Sequence, residues 1–236
     1  MDIPQMQSDS RMYHPLSELS LNTFISATFA WFAGGLSVTF ITAFALYITG
    51  IGYILAYGPI LLILSIIQLA TVFGLGFFIN KMSATVAGIL FLAYSFLTGL
   101  TFSGIFLAYG LPTVLSTFVI AAGMFGIVAA YGYTTKQNLS LFGRIAFMGL
   151  FGLILASIVN IFFASSGLEW IVNYAGVAIF LVLTAWDMQK LKLMAQQFGG
   201  LSTETHKFAI YGALQLYLDF INLFIFILRI FGGRRD

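Results

Sequence analysis

The chain has 236 residues, 60% of them hydrophobic and only 8% charged, with a formal net charge of +2 at neutral pH. A soluble domain carries roughly 25% charged residues, so this composition excludes one and points to a bilayer. The few Lys and Arg residues are scattered, which excludes a nucleic-acid surface, and the absence of cysteine removes disulfides, thiolate metal sites and cysteine nucleophiles.

Residues 1–20 carry Asp2, Asp9, Arg11, His14, Pro15 and Glu18 around no apolar core. They lack the basic and then apolar pattern of a cleaved signal peptide and read as a polar cytoplasmic tail that stays on the chain. A bilayer core about 30 Å thick takes roughly 20 apolar residues as helix, because lipid offers the backbone no hydrogen-bond partner. Stretches that meet or nearly meet this length run from Phe24 to Ile48, Pro59 to Ile79, Ala84 to Leu107, Pro112 to Ala130, Ile145 to Ala164, Trp170 to Trp186 and Phe208 to Leu228, the sixth being short. The prediction is an all-α polytopic membrane protein, with a seven-helix transmembrane domain over residues 21–231 and a short basic tail at 232–236. Its connectors are brief and rich in Gly, Pro, Asn and Ser, and the longest runs from Asp187 to Lys207, with Gly199-Gly200 as a helix stop and Ser202 to Glu204 as a restart. There is no convincing internal repeat, which disfavours an inverted-repeat transporter.

The basic residues alternate between connectors. Arg11 precedes the first span, Lys81 follows the second, Lys136 and Arg144 follow the fourth, and Lys190, Lys192 and Lys207 follow the sixth. By the positive-inside rule the N-terminus is cytoplasmic. Arg229, Arg234 and Arg235 break the pattern if the last segment crosses fully, and a full crossing is the expectation. Helices in lipid associate through small residues, so Gly34-Gly35, Gly74, Gly76, Gly99, Gly104, Gly123, Gly126, Gly149 and Gly152 are predicted at close helix contacts.

An ionised side chain near the bilayer centre costs at least ~2.5–3.5 kcal/mol on insertion scales, so each one is a functional candidate. Asp219 is the foremost, deep in the last span with no Lys, Arg or His in the same stretch. Gln215 and Asn222, at i−4 and i+3, share its helical face and make a polar seam. The bland alternative is a protonated acid that simply holds neighbouring helices together. Asp187 ends the sixth stretch, and an interfacial salt bridge to Lys190 at i+3 is its bland alternative. Lys81, Asn160 and Gln68 are the other polar residues in or beside spans, and a lone interfacial His206 reads as solvated. If Asp187 and Asp219 meet, two carboxylates at low dielectric cannot both ionise cheaply, so the pair holds one proton between them and acts as a switch. Contact faces a depth problem. Measured from Trp170 at 1.5 Å per residue, Asp187 lies about 25 Å along its helix, near the cytoplasmic face. Asp219 is near the middle of its own, so a tilted or shifted last helix is required.

The stretches AWDMQKLK from Ala185 and ALQLYLDFINLFIFILRIFG from Ala213 resemble the two signature regions of the Bax inhibitor-1 family. The runs starting at Asn80, Ser116 and Leu155 are similar to its bacterial inner-membrane branch. The resemblance implies a last helix that is central and wrapped by the other six. It further implies a pH-sensitive calcium leak in which Asp187 and Asp219 form the sensor and a weak, transient Ca²⁺ site, with Lys81 as a candidate latch. A hard cation prefers several oxygen ligands, so Gln215, Asn222 and Asn160 are candidate ion-path residues beside the carboxylates. No cofactor is expected. The alternative partner is a membrane-bound protease, with the chain as a non-conducting regulator docked through residues 1–20. Two intramembrane aspartates also suit an aspartyl protease, but Asp187 follows Trp and Asp219 follows Tyr-Leu, without the glycines such proteases carry. The chain is therefore not expected to be an enzyme.

Overall fold

The apolar runs become helices wherever they can satisfy their backbone internally. The computed structural model describes residues 18–55, 58–198 and 201–232. Most of the N-terminal tail with Arg11, the Gly199-Gly200 stop, and Arg234 and Arg235 lie outside the described residues. In chain order the helices are α1 (Glu18–Thr49), α2 (Gly52–Leu55), α3 (Gly58–Phe78), α4 (Ala84–Tyr109), α5 (Leu111–Thr134), α6 (Ser140–Phe163), α7 (Ser166–Phe198) and α8 (His206–Phe231), with a 3-10 turn at Ile79–Lys81. All but the four-residue α2 are long and apolar enough to cross a membrane, so the seven predicted spans are present and the architecture is all-helical.

The links are short and chemically specific. Ser83 caps α4 by accepting from the Val86 amide at 3.3 Å. Gly110 alone separates α4 from α5, at φ +76°, a left-handed backbone that a Cβ would strain, and Pro112 then opens α5. Between α6 and α7 the turn is held by Asn160, whose side-chain oxygen accepts from the Ser165 amide at 3.0 Å while its carbonyl accepts from Ala164.

The sixth span is not short. α7 continues past Trp186 to Phe198, because its polar continuation finds partners on the protein instead of needing water. Gln189 accepts from the Leu139 amide and donates to the Gln137 carbonyl, and Lys192 donates to the Tyr133 carbonyl at 2.8 Å. These bonds tie α7 to the α5–α6 link. At the same end, Lys207 donates to the Asn80 carbonyl at 2.9 Å, joining the start of α8 to the 3-10 turn.

α8 is central. In its most apolar window 61% of residues are buried, against 6% for α3 and 11% for α6. It packs against α1, α4, α5 and α7. The last helix is central as expected, in direct contact with four of the others; α3 packs on α4 and α6 on α7, and these two face α8 across a cavity without an extended contact with it or with each other. One face of α8 is pinned by the buried Tyr217 hydroxyl, 2.6 Å from Thr39 Oγ1 of α1, and that threonine in turn donates to the Ser95 carbonyl of α4 at 2.9 Å. The Tyr217 ring lies edge-on to Phe91 and Tyr94.

The glycine expectation holds in part. A Cβ at Gly99 would meet the Thr39 carbonyl at 2.8 Å, and one at Gly35 would strike the Phe91 ring, so α1 and α4 approach closely there. Gly34, Gly74, Gly76, Gly123, Gly126 and Gly152 instead face open space. A close backbone approach that sequence pattern missed is at Gly132 of α5, whose Cβ would clash with the Ala185 carbonyl of α7. Gly132→Leu is expected to unseat α5 from α7, measured as loss of the monodisperse folded protein in detergent, whereas Gly126→Leu should be tolerated. Tyr217→Phe removes one buried hydrogen bond and is expected to lower unfolding stability by about 1 kcal/mol in a reversible denaturation series.

A paired-carboxyl candidate site

α7 and α8 pack along one another, and the length of α7 settles the depth problem. At 1.5 Å per residue Asp187 lies about 17 Å from the Phe198 end of α7, and Asp219 about 20 Å from the His206 start of α8. The two helices leave the same end of the bundle, so both carboxyls fall at one depth without any shift of α8.

Asp187 and Asp219 are 7% and 5% exposed, which makes both buried carboxyls. The two carboxyls lie close enough to act on each other directly. An ionised carboxylate only accepts, so a hydrogen bond between them requires a proton on one of the two. Asp187 also meets Lys190, with Oδ1 2.6 Å from Nζ, and the Lys190 ammonium lies 3.9 Å above the Trp186 ring. Asp187 thus lies between the Lys190 ammonium and the Asp219 carboxyl. Among the described residues Asp219 receives no comparable cation, and its Oδ2 is buried with no hydrogen-bond partner.

The pair lies on the wall of a cavity of about 910 Å³ bounded by α3, α6, α7 and α8. Gln215 and Asn222 line the same cavity, so the seam drawn from i−4 and i+3 spacing is continuous with the carboxyl pair. Asn222 donates its amide to the Leu218 carbonyl at 2.8 Å, which leaves its oxygen as the group to meet a cation. Tyr211, Leu218 and Phe226 extend the same face of α8. Sequence reasoning missed Tyr211, although it stands one turn before Gln215 and the 3.6-residue period was available to find it. Past Asn222 the lining turns apolar: Phe226 stacks on Phe180 at 5.9 Å between centroids and lies against Gly176.

Two proposed residues are not brought to the site. Lys81 is exposed on the 3-10 turn, does not line the cavity and makes no ion pair with either aspartate; the cation at Asp187 is Lys190. Asn160 is engaged in closing the α6–α7 turn and is likewise absent from the cavity lining, because its position at the last turn of α6 directs it to the backbone there. Gln68 bridges to Thr98 and Thr101 of α4 and is structural. His206 is not merely solvated, since its Nε2 accepts from Trp31 Nε1 at 3.1 Å. Among the described residues no group of three or more His, Cys, Asp or Glu forms a metal cluster. Any Ca²⁺ held here would rely on two carboxyls supplemented by amide and backbone oxygens.

With that arrangement in view, residues 21–236 match the family model described as "Inhibitor of apoptosis-promoting Bax1". The chain belongs to the Bax inhibitor-1 family. It is 48% identical over 218 residues to the inner membrane protein YbhL of Escherichia coli K12, covering 91% of this chain and 93% of that one. An uncharacterized protein of Deinococcus radiodurans is 41% identical, with 92% of each chain covered, and YrjE of Lactococcus lactis is 34% identical, covering 92% of this chain and 94% of its own. This Bax inhibitor-1 family member is an integral, multi-pass membrane protein.

Because the chain has no cysteine, proximity of the pair can be tested cleanly. Asp187→Cys combined with Asp219→Cys is expected to be bridged by a short bifunctional thiol reagent. Asp187→Cys with Tyr217→Cys, on the opposite face of α8, is expected to stay unbridged. Mass spectrometry of the joined peptides is the readout, and equal bridging in both pairs would contradict the geometry.

Proposed function

We propose that the protein is a pH-sensitive cation leak, with Ca²⁺ as the expected permeant ion and the Asp187–Asp219 pair as its gate. The observation that carries this reading is two buried carboxyls on consecutive helices, close enough to act on each other at the wall of a large cavity. In the protonated state the hydrogen bond draws α7 and α8 together. When the proton leaves, two like charges about 4 Å apart repel by about 4 kcal/mol at an effective dielectric of 20. That is enough to separate the helices or to recruit a divalent cation. Lys190 offsets part of the charge on Asp187, so the pair responds as a unit of two carboxyls and one ammonium.

The seam of Gln215, the carboxyls and Asn222 supplies oxygens for a cation in transit, and a weak multi-oxygen site suits conduction better than storage. Phe180 and Phe226 stack beyond it in the apolar part of the lining, and in this reading they serve as the barrier that blocks ions by excluding water. The carboxyls in this reading carry protons and cations and cleave no bond. The relative's designation as an inner membrane protein supports placement in a bacterial inner membrane. The collection of Lys81, Lys136, Arg144, Lys192 and Lys207 toward one end of the bundle supports a cytoplasmic N-terminus on that side.

In proteoliposomes, Ca²⁺ flux is expected to rise from mildly acidic to mildly alkaline pH. Asp219→Asn lets the pair hydrogen-bond without a titrating proton, so its flux should remain low and flat across that range; an unchanged pH profile would overturn the gate. Phe226→Ala is expected to raise flux at every pH while preserving its pH dependence.

A further inference from the structure

The cavity has a feature that ion passage does not require, because it is open sideways. Its walls include α3 and α6, which do not pack along one another. The residues that flank the gap, among them Phe73 and Phe77 on α3 and Ile158 and Ile161 on α6, are exposed. In a bilayer that exposure faces hydrocarbon, so the gap is a side entrance for molecules dissolved in lipid.

The lining is also ordered along its length. At the basic end of the bundle it presents Lys190, Tyr211, Gln215 and the two carboxyls, and towards the other end it becomes apolar at Phe226 and Phe180. An amphiphile in the leaflet at the basic end has the same polarity order, with its head outward and its tail towards the midplane. A cavity of about 910 Å³ falls at the upper end of the ~300–1,000 Å³ typical of small-molecule pockets.

The charges select among heads. Among the described residues the two carboxyls share one ammonium, Lys190, so the pair carries an excess negative charge unless it holds a proton. Asp219, buried and lining the cavity, retains an oxygen without a partner. A protonated amine can replace that proton, adding a charge-assisted hydrogen bond to the carboxyl pair. An anionic head would add a third negative charge to the same wall, and a neutral alcohol would leave the excess charge in place.

We propose that the cavity is a binding site for single-chain amphiphiles with a primary ammonium head, which enter from the bilayer between α3 and α6 and seat the ammonium on Asp219 and Asp187. The proposal takes the same carboxyl pair as the leak reading, but binding is measured without flux, so either can fail alone. The Gly76 position supplies an independent handle. It lines the cavity from α3, and a Cβ there meets nothing within 4 Å, so a larger side chain fills the cavity without a clash inside the bundle.

The test uses the full chain in nanodiscs with radiolabelled dodecylamine, dodecanol and dodecanoic acid, subtracting uptake by empty discs. Dodecylamine is expected to bind saturably and at least about tenfold more tightly than the alcohol or the acid, in keeping with an ion-paired hydrogen bond. Asp219→Asn should erase the preference of amine over alcohol. Gly76→Phe, which leaves every charge in place, should lower amine binding by about tenfold or more. Equal binding of the three probes, or amine binding that survives Gly76→Phe unchanged, would overturn the proposal.

Discussion

A carboxyl group buried in a membrane bundle without a cation of its own sets the terms for this structure. Asp219 is such a group, and the bundle answers it with a second acid in place of a base. That choice matters physically. A lysine beside Asp219 would give a fixed, pH-independent pair, whereas a carboxyl partner makes the contact conditional on a proton. Lys190 on the far side of Asp187 tempers the arrangement without removing this dependence.

The rest of the fold positions the two acids. α8 is held at the centre by four helices, and its Tyr217 face is fixed to α1 and α4 through Thr39 and the Ser95 carbonyl. The opposite face is left to the cavity. Close approach of α5 and α7 at Gly132 and Ala185 places the turn before Asp187, and the bonds from Gln189 and Lys192 hold the helix beyond it. Asp187 therefore sits between two anchored stretches of one long helix. Motion that separates the acids is more easily accommodated on the open side, where α3 and α6 stand apart.

Much of this was legible from the chain. Apolar runs located every span, and the i−4 and i+3 neighbours of Asp219 identified the polar seam that does line the cavity. The sixth span was cut short because Asp187, Gln189, Lys190 and Lys192 end an apolar run, although they do not end a helix when each has a protein partner. That one error created the apparent mismatch in depth between the acids. Lys81 is a candidate through the family resemblance and Asn160 as a polar residue in a span, but their positions are fixed by a turn and a helix end, which linear position does not reveal. The side opening has no signature in the sequence at all, since it arises from two helices failing to meet.

The central claim is that Asp187 and Asp219 hold a proton between them and surrender it as pH rises. Infrared spectroscopy of the protein in lipid, titrated across that range, reads the carbonyl stretch of a protonated carboxyl directly. The account predicts a band that fades with rising pH and disappears in both Asp187→Asn and Asp219→Asn. A spectrum without a protonated carboxyl at acidic pH, or a band that persists in both variants, would contradict it.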